Sequence, residues 1–117
     1  MELRRRVPRV AASGWLGTFI IEDDSQPGWG DCAVIDFSVL GVGLELFGKL
    51  RDDLVGRRMV VQVHAPVGKS VSLRLVGEIR NNVLGPQGEN RVGMEFVDLS
   101  ETERAIIGVI EEMKVVW

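Results

Sequence analysis

A chain of 117 residues, 45% hydrophobic and 26% charged, is one domain with enough chain for a single core. Its net charge of −3 excludes a general polyanion binder, since such proteins are basic overall. The single cysteine excludes an internal disulfide framework, and no apolar run reaches the ~18 residues that a helical membrane span needs.

The chain opens on Arg4-Arg5-Arg6-Val7-Pro8-Arg9, which puts four of the 14 basic residues ahead of position 10. No apolar stretch follows as it would in a signal peptide. With the lone cysteine, this points to a reducing, cytoplasmic setting. Whether the chain is whole or a module of a longer protein stays open. Pro8 disfavours helix at Val7, so the arm is expected to be extended. Arg5 and Arg9 then share a side, about 13 Å apart along the chain.

Period-two alternation dominates the chain from Trp15 to Phe96. A strand begins in Trp15-Leu16-Gly17-Thr18-Phe19-Ile20-Ile21 and ends at the turn formers Asp23 to Gly28. Cys32 to Ile35 is a short apolar run, and Val42, Leu44 and Leu46 alternate with Gly43, Glu45 and Phe47. Met59 to Ala65 is strand-like. In the clearest strand, Val71, Leu73, Leu75, Gly77 and Ile79 share one face, and Ser72, Arg74, Glu78 and Arg80 the other. Residues 81–87 are expected to turn. Val92, Met94 and Phe96 form the last inward-facing set. Six short strands suggest a small antiparallel barrel or sandwich.

The period then changes. Ser100-Glu101-Thr102-Glu103 has the form of a capping box, with Ser100 as the N-cap. Ile106, Ile110 and Met113 follow at helical spacing, widened by Ile107 and Val109. A lone helix of this length is marginal in water, so it must pack on the sheet or on a partner.

Two motifs carry chemistry. Arginine forks match phosphate bidentately, match the O6 and N7 acceptors of guanine, and can stack on a base. The arginine cluster reads either as a solvated basic tail or as an anion site. The second motif is Asp36-Phe37-Ser38-Val39-Leu40-Gly41. Asp36 can accept from the N1–H and N2–H₂ donors that guanine carries, and alternation places Ser38 on the same face. Gly41 permits positive φ or close backbone approach. This segment reads either as a turn closing a hairpin or as a ligand-edge site.

Taken in order, Arg5 and Arg9 resemble the R-x-x-x-R motif, and Asp36, Ser38 and Gly41 the D-x-S-x-x-G motif, of the PilZ family. Leu75-Val76-Gly77-Glu78-Ile79-Arg80 is similar to the family's late strand. Gly93-Met94-Glu95-Phe96-Val97-Asp98-Leu99-Ser100 is similar to its last strand running into the closing helix.

The resemblance implies a mostly β fold, a six-stranded antiparallel β-barrel with one C-terminal α-helix. Residues 1–10 would be a flexible arm, 11–98 the barrel and 100–114 the helix. It also implies a non-enzymatic bacterial receptor for cyclic di-GMP, needing no metal or cofactor and signalling to a protein partner through its arm. A homodimer is compatible with it. The implied ligand-binding residues are Arg5, Arg9, Asp36, Ser38 and Gly41, with Arg4 available to a second ligand molecule. Some family members stack a late-strand aromatic on a guanine; here Arg80 stands nearby and could stack instead.

Two other classes fit less well. A PilZ-like adaptor that binds protein rather than nucleotide usually lacks these motif residues. A barrel that binds RNA or DNA would interleave aromatic with basic residues. His64 lacks companions at metal-ligand spacing and reads as structural. Cys32 reads as buried and inert, Trp29 as a loop anchor or a partner contact, and Trp117 as a packing residue.

Overall fold

Among the described residues the elements run β1 (Val10–Ala11), β2 (Leu16–Ile21), β3 (Gly30–Phe37), β4 (Gly41–Leu46), β5 (Arg58–Ala65), β6 (Val71–Leu84), β7 (Asn90–Phe96) and α1 (Glu101–Val115). The computed structural model describes residues 10–11, 15–22, 28–48, 51–65 and 71–115. Every strand pairing is antiparallel. The order β3-β2-β5-β6-β7-β4 closes on itself through β3–β4, giving a six-stranded barrel without a free edge. The short β1 lies outside the ring, with Val10 opposite Phe37 and Ala11 opposite Asp36.

The inward set is the one alternation predicts. Cys32, Val34, Val42, Leu44, Met59, Val61, Val63, Leu73, Leu75, Ile79, Val92 and Met94 are all buried in one core. Trp15 stacks on Phe37 with ring centroids 4.9 Å apart. Ile107 of α1, 1% exposed, packs among Trp15, Phe37, Leu73 and Leu75. Leu54, from the segment between β4 and β5, is buried in the same core.

Ser100 caps α1 as expected. Its hydroxyl oxygen accepts from Glu103 N at 3.1 Å, and its O–H donates to Glu103 Oε1 at 2.8 Å. Glu103 Oε2 also accepts from Arg74 N at 2.9 Å, which ties the first turn of the helix to β6. The described part of the helical face falls within the expected stripe except at Val109. Ile107 is the buried anchor, Ile106 is partly buried and Val109 is exposed. The side chains of Ile110 and Met113, and Trp117, lie outside the described residues.

Two strands run past their expected ends. β3 begins at Gly30 and ends at Phe37. β6 continues to Leu84, so residues 81–84 are strand where a turn was expected; the turn is Gly85 to Gly88, closed by Gly88 N donating to Gly85 O at 3.0 Å. The physical reason is a pair of β-bulges. The β3–β4 register shifts between Val34 and Asp36, and the β6–β7 register between Ile79 and Asn81. Each bulge resets which residues face outward, so a single alternation loses phase there.

Candidate functional site

The two bulges lie on either side of one strand pair, β4–β7. Asp36 stands opposite Gly43, Gly43 opposite Gly93, and Gly93 opposite Asn81, one row across β3, β4, β7 and β6. The chain neighbours Val42, Leu44, Val92 and Met94 are buried, so both glycines face outward. With no side chain at either position, the row becomes the floor of an open cleft of about 280 Å³.

The ends of the row lean over that floor. A Cβ on Gly43 would lie 2.8 Å from Asp36 Oδ1, and one on Gly93 would lie 2.8 Å from Asn81 Nδ2. Gly43 and Gly93 are directly opposed, with Cβ positions about 5 Å apart, so the carboxylate overhangs one floor position and the carboxamide the next. A planar ring can approach this surface closely and find acceptors and a donor along one edge.

Ion pairs flank the row. On one side Arg91 binds Glu45 at 3.0 Å and Glu89 at 3.3 Å. On the other, Arg80 binds Glu95 at 2.7 Å and Glu78 at 3.1 Å. Glu78 and Glu95 are directly opposed across β6–β7, so Arg80 relieves a like-charge pair. Among the described residues, the charged ones lining the cleft are Asp36, Glu95 and Arg91.

The site residues expected from sequence are placed unequally. Asp36 and Gly41 line the cleft, and Arg80 is bonded to Glu95 at its edge. Ser38 is 1% exposed and does not share the outer face with Asp36. Strand β3 ends at Phe37, and the Ser38 hydroxyl turns inward to accept from Leu40 N at 3.1 Å. Ser38 N donates to Gly41 O at 2.9 Å, which closes the β3–β4 turn. Gly41 is required by close approach within the barrel. A Cβ there would collide with the Met94 carbonyl oxygen of β7. Arg4, Arg5 and Arg9 lie outside the described residues. Arg9 is one peptide unit from Val10, whose backbone pairs with Phe37 beside Asp36.

Sequence reasoning missed Gly43, Gly93 and Asn81. A signal was present: glycine inside a strand pattern, as in Val42-Gly43-Leu44 and Val92-Gly93-Met94, marks close approach by another group. Elsewhere, Cys32 is buried, and burial pushes its thiol up to about 12, with the neighbouring Asp31 charge adding to the effect. Trp29 is 53% exposed, which favours the contact reading over the anchor. Among the described residues, no group of three or more His, Cys, Asp or Glu is arranged to hold a metal ion. No described helix is long and apolar enough to cross a membrane.

No family model matches the sequence, and no curated protein matches it by sequence. The fold does match solved structures. The PilZ domain with c-di-GMP of YcgR from Escherichia coli superposes with a TM-score of 0.68 at 18% identity, over 95% of this chain and 91% of that one. YcgR in complex with c-di-GMP from the same organism matches with a TM-score of 0.71 at 19% identity, over 94% of this chain and 45% of that one. The Bacillus subtilis inhibitor of motility MotI/DgrA matches with a TM-score of 0.69 at 12% identity, over 94% of this chain and 50% of that one. This chain therefore spans about half the length of YcgR and of MotI/DgrA. It has the PilZ-domain fold.

Proposed function

We propose that the chain is a receptor for cyclic di-GMP that reads a guanine edge in the β4–β7 cleft and holds the ligand's phosphates with its N-terminal arginines. The observation that carries this reading is Asp36 leaning over the bare glycine row, beside the strand that leads out of the arginine arm. Guanine offers N1–H and N2–H₂ donors to a carboxylate, whereas adenine at that edge presents an acceptor, which the carboxylate repels. The charge distribution supports a division of labour. Arg91, the cation among the described residues lining the cleft, is already held by Glu45 and Glu89, so this wall suits base donors better than phosphates. On this reading the charges that meet a doubly anionic ligand are those of Arg4, Arg5 and Arg9.

Two solved neighbours with this fold hold c-di-GMP by their own descriptions, which supports the choice of ligand. The signal is then ligand-linked ordering. The arm closes on the ligand and alters the surface beside the cleft that a protein partner meets. The role is that of a bacterial, cytoplasmic receptor and not of a catalyst.

Isothermal titration with cyclic di-GMP tests the reading. Binding is expected, and Asp36→Ala and Arg9→Ala should each weaken it by at least ~1.5 kcal/mol, roughly tenfold in Kd. A wild-type protein that takes up no ligand would refute the receptor reading. The protein-binding adaptor would then take its place, with exposed Trp29 and Phe47 as its first candidate contacts.

A further inference from the structure

Two consecutive asparagines on β6 have opposite fates. Asn82 is spent on the fold: its Nδ2 donates to Arg51 O at 3.0 Å, and its Oδ1 accepts from Asn90 Nδ2 at 2.8 Å. Asn90 completes that cluster by accepting from Arg51 N at 2.9 Å and donating to Arg51 O at 2.7 Å. Asn81 has no such task. Among the described residues its side chain makes no hydrogen bond, yet it is aimed into the cleft over Gly93.

The aim comes from the β6 bulge. Register shifts between Ile79 and Asn81, so Arg80 and Asn81 are both exposed, where plain alternation would turn Asn81 towards the core. The same device on β3 aims Asp36 from the other end of the row. The two strands each break register at the point where a polar side chain has to face the Gly43–Gly93 floor. A bulge costs ladder pairing, and pairing alone gives no reason for two of them to be matched across one pair of glycines.

We infer that Asn81 is a second base-reading residue of this site, acting with Asp36 on one and the same base. Resting on the receptor reading above, the assignment is that Asp36 accepts from the guanine N1–H and N2–H₂ while the Asn81 Nδ2–H₂ donates to the adjoining O6. The two heads overhang directly opposed glycines, whose Cβ positions would stand about 5 Å apart, so one purine lying on the floor has both within its reach. Asn81 would thus do by hydrogen bonding, on the outer end of β6, part of what a stacking aromatic would otherwise contribute to holding the base.

The test is a titration of the full chain with cyclic di-GMP, using Asn81→Ala, Asn81→Asp and the double variant Asp36→Ala/Asn81→Ala. Since Asn81 has no partner among the described residues, the single variants should unfold in urea like wild type. Asn81→Ala should raise Kd about tenfold, the scale of one hydrogen bond lost to a buried acceptor. Asn81→Asp should raise it further, because a second carboxylate faces O6. The double variant should lose less than the product of the two single losses, because a base released by Asp36 no longer presents O6 to Asn81. In a ¹⁵N spectrum the Asn81 side-chain amide pair should shift on ligand addition while those of Asn82 and Asn90 stay in place. Wild-type binding with Asn81→Ala and Asn81→Asp both at wild-type affinity would overturn this inference and leave the receptor reading intact. Absence of wild-type binding would overturn both.

Discussion

Two glycines two residues apart on β4 should fail in opposite ways when given a methyl group. At Gly43 the added Cβ would meet Asp36 Oδ1 at 2.8 Å, the far end of a flexible side chain. Asp36 can swing aside, so the backbone and the β4 ladder to β7 stay as they are. Stability should change by no more than about 0.5 kcal/mol. The displaced carboxylate no longer lies over the floor, and the loss of a charge-assisted hydrogen bond should cost ~1.5–3 kcal/mol of binding, a Kd increase of roughly 10- to 150-fold.

At Gly41 the added Cβ would meet the Met94 carbonyl oxygen. That atom belongs to the β7 backbone, and it cannot move without parting the two strands where Gly41 stands opposite Glu95. Overpacking plus a weakened ladder bond sets the cost at about 2–4 kcal/mol. Urea denaturation and isothermal titration of both variants give four numbers. Gly43→Ala should bind poorly and unfold normally, whereas Gly41→Ala should unfold early. A Gly43→Ala protein with wild-type affinity would refute the claim that the carboxylate over the floor reads the ligand. A Gly41→Ala protein with wild-type stability would refute the assignment of Gly41 to barrel closure.

Ser38→Ala removes a buried acceptor from Leu40 N and should cost ~1–2 kcal/mol of stability in urea, with a smaller effect on affinity than Asp36→Ala. Ile107→Ala opens a cavity against Trp15 and Phe37 and should cost about 2–4 kcal/mol by the same measurement. The Cys32 thiol, pushed up to about 12 chiefly by burial, should resist a thiol reagent at pH 8 in the folded protein and react at once in denaturant. Asp53 is held down to about 2 from 3.8, first by its hydrogen bond from Arg51. Its folded value is the lower one, so its contribution is complete above about pH 4 and lost as pH falls towards 2. The stability difference between wild type and Asp53→Asn should therefore be constant from pH 7 to 5 and close below pH 4.

The sequence was most legible where one physical rule acted alone. The buried set from Leu73 to Ile79 and the cap at Ser100 follow from local pattern, which left barrel and sandwich open; the barrel came from the family resemblance. Legibility failed where a bulge intervened. Alternation put Ser38 beside Asp36 on the outer face, but the strand ends at Phe37 and the hydroxyl turns into the β3–β4 turn. It ended β6 near Ile79, although the strand continues to Leu84. On the helix, spacing named Ile106, Ile110 and Met113 with Ile107 and Val109 as margins; Ile107 reaches Trp15 and Phe37, and Val109 is exposed. Six successive apolar or small residues, Ala105 to Ile110, leave the phase of that stripe to tertiary contact. Of the site, Asp36 was legible only through the resemblance of Asp36, Ser38 and Gly41 to a family motif, since the segment by itself reads equally as a turn. Asn81 was not, because nothing in Arg80-Asn81-Asn82 says which asparagine the Arg51 segment will consume.

The placement of charge constrains how such a site can respond to its ligand. Among the described residues of the barrel wall, Arg80 is engaged by two carboxylates and Arg91 by two more. An anion approaching that wall meets no arginine without a carboxylate already bound to it among those at the rim, so phosphate binding there would have to break an ion pair first. Affinity for a dianionic dinucleotide should therefore depend steeply on salt through Arg4, Arg5 and Arg9, and its choice of base should depend on Asp36 and hardly on salt. Raising ionic strength would then weaken binding of the wild type while leaving its preference for guanine over adenine dinucleotides unchanged. Loss of that preference at high salt would mean that the cleft does not read the base.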